Sequence, residues 1–105
     1  PSQIIIEALE TTHLYALPRK KLLEAIDTCS ELGILYRKVL EHALISSQHH
    51  ADSQRFENAQ ERYERLLREK PEIVLRAPMI HVASFLQMTP ETLSRVRAHH
   101  EKSRK

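Results

Sequence analysis

The chain has 105 residues, 41% hydrophobic and 29% charged, with one glycine, one cysteine and a net charge of +2 at pH 7, a composition that fits one globular domain or one and a fragment. A lone glycine, Gly33, excludes the phosphate-cradling loops GxGxxG and GxxxxGK(S/T), whose glycines allow close backbone approach, and a lone Cys29 excludes an intramolecular disulfide. No apolar run approaches the roughly 20 residues of a membrane helix and no leader with a small-residue cleavage site opens the chain, so the expected compartment is the cytoplasm, with no membrane partner.

The first predicted element is β. Ile4 to Leu17 begins with β-branched residues and then alternates roughly through Leu9, Thr11, His13, Tyr15 and Leu17, which reads as two short strands or one bent strand. Two strands alone are marginal in water, so the segment is expected to belong to a sheet lying mostly outside the chain, with the N-terminus a cut edge. Pro18 then suits the first turn of a short helix that buries Leu22, Leu23 and Ile26.

Thr28 and Glu31 have the spacing of a capping box, and from there to about Arg55 only Gly33 disfavours helix. The apolar stripe of this long helix passes through Leu32, Leu35, Tyr36, Val39, Leu40, Ala43 and Leu44, then fades into Ser46, Ser47, His49 and His50. That pattern suits a dimerisation helix with a polar extension, with Leu32, Leu35, Tyr36, Val39 and Ala43 at the interface; a solvated single helix is the alternative. Asn58 and Glu61 give a second cap signal for a helix carrying Tyr63, Leu66 and Leu67 and ending near Lys70-Pro71. Glu72 to Arg76 should add a short helical turn before Pro78. Two further helices, Met79 to about Leu86 and Pro90 to about His100, close the chain.

Charge is unevenly spread. Up to Gln54 there are 5 basic and 7 acidic residues; from Arg55 onward there are 11 basic and 7 acidic. Arg95, Arg97, Lys102, Arg104 and Lys105 gather at the C-terminal end, where a polyanion would meet them.

Residues 79–97 have the spacing of a helix-turn-helix. Two short helices that cross closely need a small residue at the crossing, and Ala83 supplies it. Val82, Leu86, Met88, Leu93 and Val96 fill the angle, Thr89 caps the second helix, Pro90 takes its first position and Glu91 sits in the first turn. The exposed face of that helix presents Glu91, Ser94, Arg95 and Arg97: Glu91 can accept from a cytosine amino group and Arg95 can donate bidentately to guanine. The same spacing fits an αα-hairpin with a solvated outer face. Gln87 stands where such turns commonly place glycine, at a cost on the order of 1 kcal/mol if its φ is positive.

From Glu61 to Arg97 the sequence, RYERLLREKPEIVLRAPMIHVASFLQMTPETLSRVR from Arg62 on, closely resembles the C-terminal region of the Crp/Fnr family of bacterial transcription regulators. The resemblance implies a sequence-specific transcription regulator that binds an inverted-repeat operator as a homodimer, with RNA polymerase as a further partner. It implies residues 1–27 as the last part of a cyclic-nucleotide-binding-type β-barrel, 28–57 as the dimerisation helix and 58–105 as the DNA-binding domain. The implied fold is mainly α, with a short β element at the N-terminus and a C-terminal helix-turn-helix of winged-helix-like type.

Glu91, Ser94 and Arg95 match the E-x-x-S-R pattern of the Fnr-like branch, which reads TTGA-type half-sites. Pro90 replaces the arginine that precedes the glutamate in the Crp-like branch and removes one guanine contact. Thr89, Thr92, Arg97, His99, Lys102, Arg104 and Lys105 are assigned to DNA phosphates. No cofactor is expected in this chain; a small-molecule or cyclic-nucleotide effector would sit in the preceding barrel, with Ser46 or Ser47 near its base. An iron-sulfur cluster needs several thiolates, and Cys29 alone does not supply them.

Other residues point to bland roles. None of the seven histidines has an i, i+4 histidine partner or a Cys/His zinc spacing. Glu57, Glu61 and Glu64 alternate with Arg62, Arg65 and Arg68, the pattern of a salt-bridged exposed face, and no nucleophile stands beside a base, so no enzyme is expected. The competing class is a helical dimeric protein-interaction module whose basic tail attracts an acidic partner.

Overall fold

The structure, a computed structural model, describes residues 2–105. Among the described residues there are six helices and no strand. The expected β element is therefore absent: Ile4, Ile5 and Ile6 are 77%, 93% and 92% exposed. Strand propensity expresses fit to a pleated surface beside neighbouring strands, and no second strand lies alongside. Local bonds in this stretch include Ile4 N–H to Ser2 Oγ at 3.0 Å and Thr12 Oγ1 to the Glu10 carbonyl at 2.8 Å. No wing strand is formed either; the polar residues after Arg97 carry no alternating apolar pattern and continue the last helix.

Helix α1 (Arg19–Thr28) starts one residue later than the sequence suggests. Pro18 is its N-cap, with ψ 131° and a carbonyl that accepts from Leu22 N–H at 3.0 Å. Its buried face does not materialise: Leu22 and Ile26 are half-buried and Leu23 is exposed. The Thr28–Glu31 capping box also fails to form. Thr28 is the last residue of α1, and its hydroxyl donates back to the Ala25 and Glu24 carbonyls at 3.1 and 3.3 Å. Cys29, with φ −131° and ψ 109°, breaks the chain direction, and its carbonyl receives Gly33 N–H at the start of α2 (Ser30–Phe56).

The chain divides into two compact units within α2, between Leu44 and Ile45. In the first unit no described residue is buried. Of the stripe assigned to dimerisation, Leu32 and Tyr36 are half-buried, Ala43 is exposed, and Leu35 and Val39 are 57% and 56% exposed.

The second unit holds the core. It combines the end of α2 with α3 (Ala59–Glu69), α4 (Pro71–Arg76), α5 (Met79–Phe85) and α6 (Pro90–Ser103). Tyr63 and Leu66 of α3, Val82 and Ala83 of α5, Leu86 at the α5 C-cap and Leu93 of α6 are buried together, with Leu67, Ile73, Val74, Ala77, Met88 and Val96 packed around them. The leucine and valine side chains among these each contribute about 1.5–3 kcal/mol when fully withdrawn from water. The Asn58 box forms as its spacing implies: Glu61 N–H donates to Asn58 Oδ1 at 2.9 Å and Asn58 N–H to Glu61 Oε2 at 2.8 Å.

The charged series from Glu57 to Arg68 is salt-bridged as its alternation suggests, with Glu61, Glu64 and Arg68 exposed, but Glu57, Arg62 and Arg65 are half-buried. Arg62 is half-buried and donates through Nε to the Leu86 carbonyl at 2.9 Å and through Nη1 to the Glu57 carbonyl at 2.7 Å. It thereby ties the ends of α2 and α5 to α3. Arg65 bonds Glu57 at 3.1 Å, Glu69 at 3.2 Å and the buried Ser53 hydroxyl. Periodicity placed these residues on one helical side, but α2 and the α5 terminus cover that side and turn surface charge into tertiary bonds.

Between α5 and α6 the chain passes through Gln87 at φ 52°, the left-handed region that the turn demands. Gln87 N–H donates to the Ser84 carbonyl at 3.1 Å and Met88 N–H to the Ala83 carbonyl at 3.0 Å, the paired bonds of a Schellman C-cap. The left-handed penalty of roughly 1–2 kcal/mol exceeds the extra chain entropy of glycine, roughly 0.5–1 kcal/mol. Gln87→Gly is therefore expected to stabilise the protein by about 0.5–1 kcal/mol, read as a raised midpoint in urea unfolding.

Glu57 also links the fold to pH. The Ser53 hydroxyl, donating at 2.5 Å, and the Arg65 and Arg62 guanidiniums hold its carboxyl below the ordinary 4.5, against the opposing effect of burial. A lowered carboxyl contributes stability that is fully present above the unfolded value and is lost as pH falls through the folded one. Thermal unfolding between pH 7 and pH 3 should show stability dropping below about pH 4.5, and Glu57→Gln should lower the pH 7 value and flatten that acid limb.

Candidate nucleic-acid interface

Helix α6 is built from its N-terminus by three residues with separate tasks. Thr89, at φ −74° and ψ 156°, accepts Thr92 N–H on its hydroxyl at 3.1 Å. Pro90 occupies N1, where its missing N–H costs nothing. Glu91 adds negative charge to the first turn. Leu93, 1% exposed, then anchors the helix against Ala83, also 1% exposed, and against Tyr63 and Leu66.

Burying Leu93 determines what faces outward. With successive residues 100° apart, Glu91, Ser94, Arg95, Ala98 and Lys102 form one stripe on the opposite side, and all five are exposed. The three residues assigned to base reading are thus brought together over the first two turns of α6. Arg95 reaches back along the helix, its Nη2 donating to Thr92 Oγ1 at 3.3 Å. His99 is exposed one turn further on, and Lys102, Arg104 and Lys105 follow it, also exposed. A shallow open surface of Ala98, Glu101, Lys102, Arg104 and Lys105 marks this basic end.

Two residues of the phosphate set are less exposed than the others. Thr92 is half-buried, bonded to Thr89 Oγ1 at 3.0 Å and to Arg95. Arg97 is half-buried, with its guanidinium close enough to Tyr63 to act on its phenol. Burial raises the Tyr63 phenol above its ordinary value, Arg97 opposes that rise and Glu101 adds to it.

Sequence reasoning missed the role of His100. Its ring stands edge-on to Tyr63, with centroids 5.7 Å apart, and its Nδ1 lies 3.7 Å from Glu64 Oε1. Glu64 is lowered first by the Gln60 amide that it accepts at 2.7 Å, and also by His100 and His99. The signal was in the helical wheel: His100 falls seven residues after Leu93, on the buried side. Ser46, considered as an effector contact, lines a groove of about 150 Å³ with His49, Arg65, Lys70 and Phe85. His50 stacks there on Phe85, centroids 5.2 Å apart.

No family model, curated protein or solved structure matches the chain. No helix among the described residues is long and apolar enough to cross a membrane.

The two positions of arginine on α6 give separable expectations. Arg97→Ala removes a half-buried side chain beside Tyr63 and should cost stability by about 1 kcal/mol through lost packing, read by thermal unfolding. Its effect on the salt dependence of any polyanion binding should be smaller than that of Lys102→Ala, because Arg97 is half-buried whereas Lys102 is exposed.

Proposed function

We propose that the protein is a sequence-reading DNA-binding protein of Crp/Fnr type that acts as a homodimer. The observation that carries this reading is the outward stripe of α6: Glu91, Ser94 and Arg95 stand together, exposed, over the first turns of a capped helix whose opposite side is buried on α3 and α5. A helix in that arrangement can enter a major groove with its N-terminal residues at the base edges. Arg95 would donate to guanine, Glu91 would accept from a cytosine amino group, and Ser94 would support either. His99 and Lys102 further along the same helix, and Arg104 and Lys105 just past its end, would act as phosphate contacts, supplying affinity and register without sequence information.

The exposed apolar residues of α2, Leu35 and Val39 among them, support a second copy as the partner of that helix. A two-fold dimer would set two α6 helices into successive major grooves about 34 Å apart, so its operator would be an inverted repeat. The same apolar face also serves the competing reading, a dimeric interaction module with a basic tail. That alternative implies binding to polyanions without discrimination between DNA sequences.

The test is a fluorescence-anisotropy titration with a TTGA-type inverted-repeat duplex and a scrambled duplex of equal length, at two salt concentrations. Preference for the repeat is expected; equal binding that vanishes with salt would favour the interaction module. Arg95→Ala should cost about 1–3 kcal/mol on the repeat and little on the scrambled duplex, whereas Lys102→Ala should weaken both alike and reduce the salt slope by about 1.

A further inference from the structure

The start of α6 carries a hydrogen-bond chain that the assignment of Thr92 to phosphate leaves unused. Thr89 Oγ1 donates to Thr92 Oγ1 at 3.0 Å, and Arg95 Nη2 donates to the same oxygen at 3.3 Å. Thr92 N–H meanwhile donates to Thr89 Oγ1 at 3.1 Å, so the helix cap and the side-chain chain share one oxygen. A hydroxyl oxygen has two lone pairs. Those of Thr92 are both taken, one by the cap residue and one by the guanidinium.

We propose that Thr92 is a positioning residue, which through this bond aims the Arg95 fork toward the N-terminal end of α6 for base recognition. The inference rests on the DNA-reading proposal above. An exposed arginine on a helix has many rotamers, and ordering it on binding costs entropy. Threonine is β-branched, and its χ1 is restricted in a helix. Its hydroxyl is further held by the cap, so Arg95 is tied to a fixed point on the side where recognition helices meet base edges. The bond uses one guanidinium N–H and leaves the others for a bidentate contact to guanine O6 and N7. The geometry also gives Thr89 a second part, since it holds both the backbone of the first turn and the hydroxyl that orients Arg95.

The experiment is selection of the wild-type chain, Arg95→Ala, Thr92→Val, Thr92→Ala and Thr92→Ser from a randomised duplex library, followed by anisotropy titration of the enriched duplexes over a salt series. None of the Thr92 variants removes the helix cap, which uses Thr92 N–H and the Thr89 hydroxyl. The wild type is expected to enrich a G·C pair that Arg95→Ala no longer distinguishes. Thr92→Val and Thr92→Ala should lose preference at that same pair on the order of fivefold, with an unchanged salt slope, and Thr92→Ser should retain it. A uniform loss on every duplex with a slope shallower by about 1 would identify Thr92 as a phosphate contact and overturn the inference alone, as would full preference retained in Thr92→Val. Absence of any enriched pair for the wild type would overturn it together with the DNA-reading proposal.

Discussion

The close crossing of α5 and α6 at Ala83 and Leu93 is the contact on which the second unit depends. Each is 1% exposed, and any larger side chain at Ala83 would push the helices apart in a core packed like a solid. The crossing fixes which side of α6 is buried, and so fixes the outward stripe by subtraction. The Schellman turn at Gln87 and the cap at Thr89 serve the same geometry from the two helix ends, since they decide how soon α6 can begin after α5 stops.

Around this crossing, polar bonds do the joining that so small a core cannot do alone. Arg62 satisfies the carbonyl at the end of α5 and another at the end of α2, groups that helix geometry leaves without intrahelical partners. Arg65 gathers Ser53, Glu57 and Glu69. Both arginines keep part of their length exposed to water, which limits the desolvation cost of holding a charge between helices. The apolar core therefore sets the helix crossing, and the guanidiniums set how the neighbouring helix ends meet it.

Legibility in the sequence followed the range of the forces involved. The Asn58 box, the Thr89–Pro90 start of α6, the crossing residue Ala83 and the core positions Leu66, Leu86 and Leu93 were readable because caps and helical faces are local patterns. Gln87 was readable as a strained position for the same reason. The failures share a cause. The strand at Ile4–Leu17 required a partner strand, the Thr28 box required that the preceding helix end earlier, and the Arg62 and Arg65 roles depended on which distant segment covers α3. A periodic charge pattern gives the side of a helix and is silent on what lies across from it.

No described residue of the first unit is buried, and this governs how the chain melts. Heat-capacity change on unfolding scales with surface newly exposed to water, at about 12–15 cal/mol/K per residue of an ordinary globular domain. If only the segment from Ile45 onward behaves as such a domain, calorimetry of the single chain would register roughly 0.7–0.9 kcal/mol/K, against roughly 1.3–1.6 for a fully packed chain of this length. Amide hydrogens of α1 and of α2 before Leu44 would exchange through local opening, whereas those of α3, α5 and α6 would await cooperative opening of the core. Association through the α2 face would then appear as slowed exchange in the first unit.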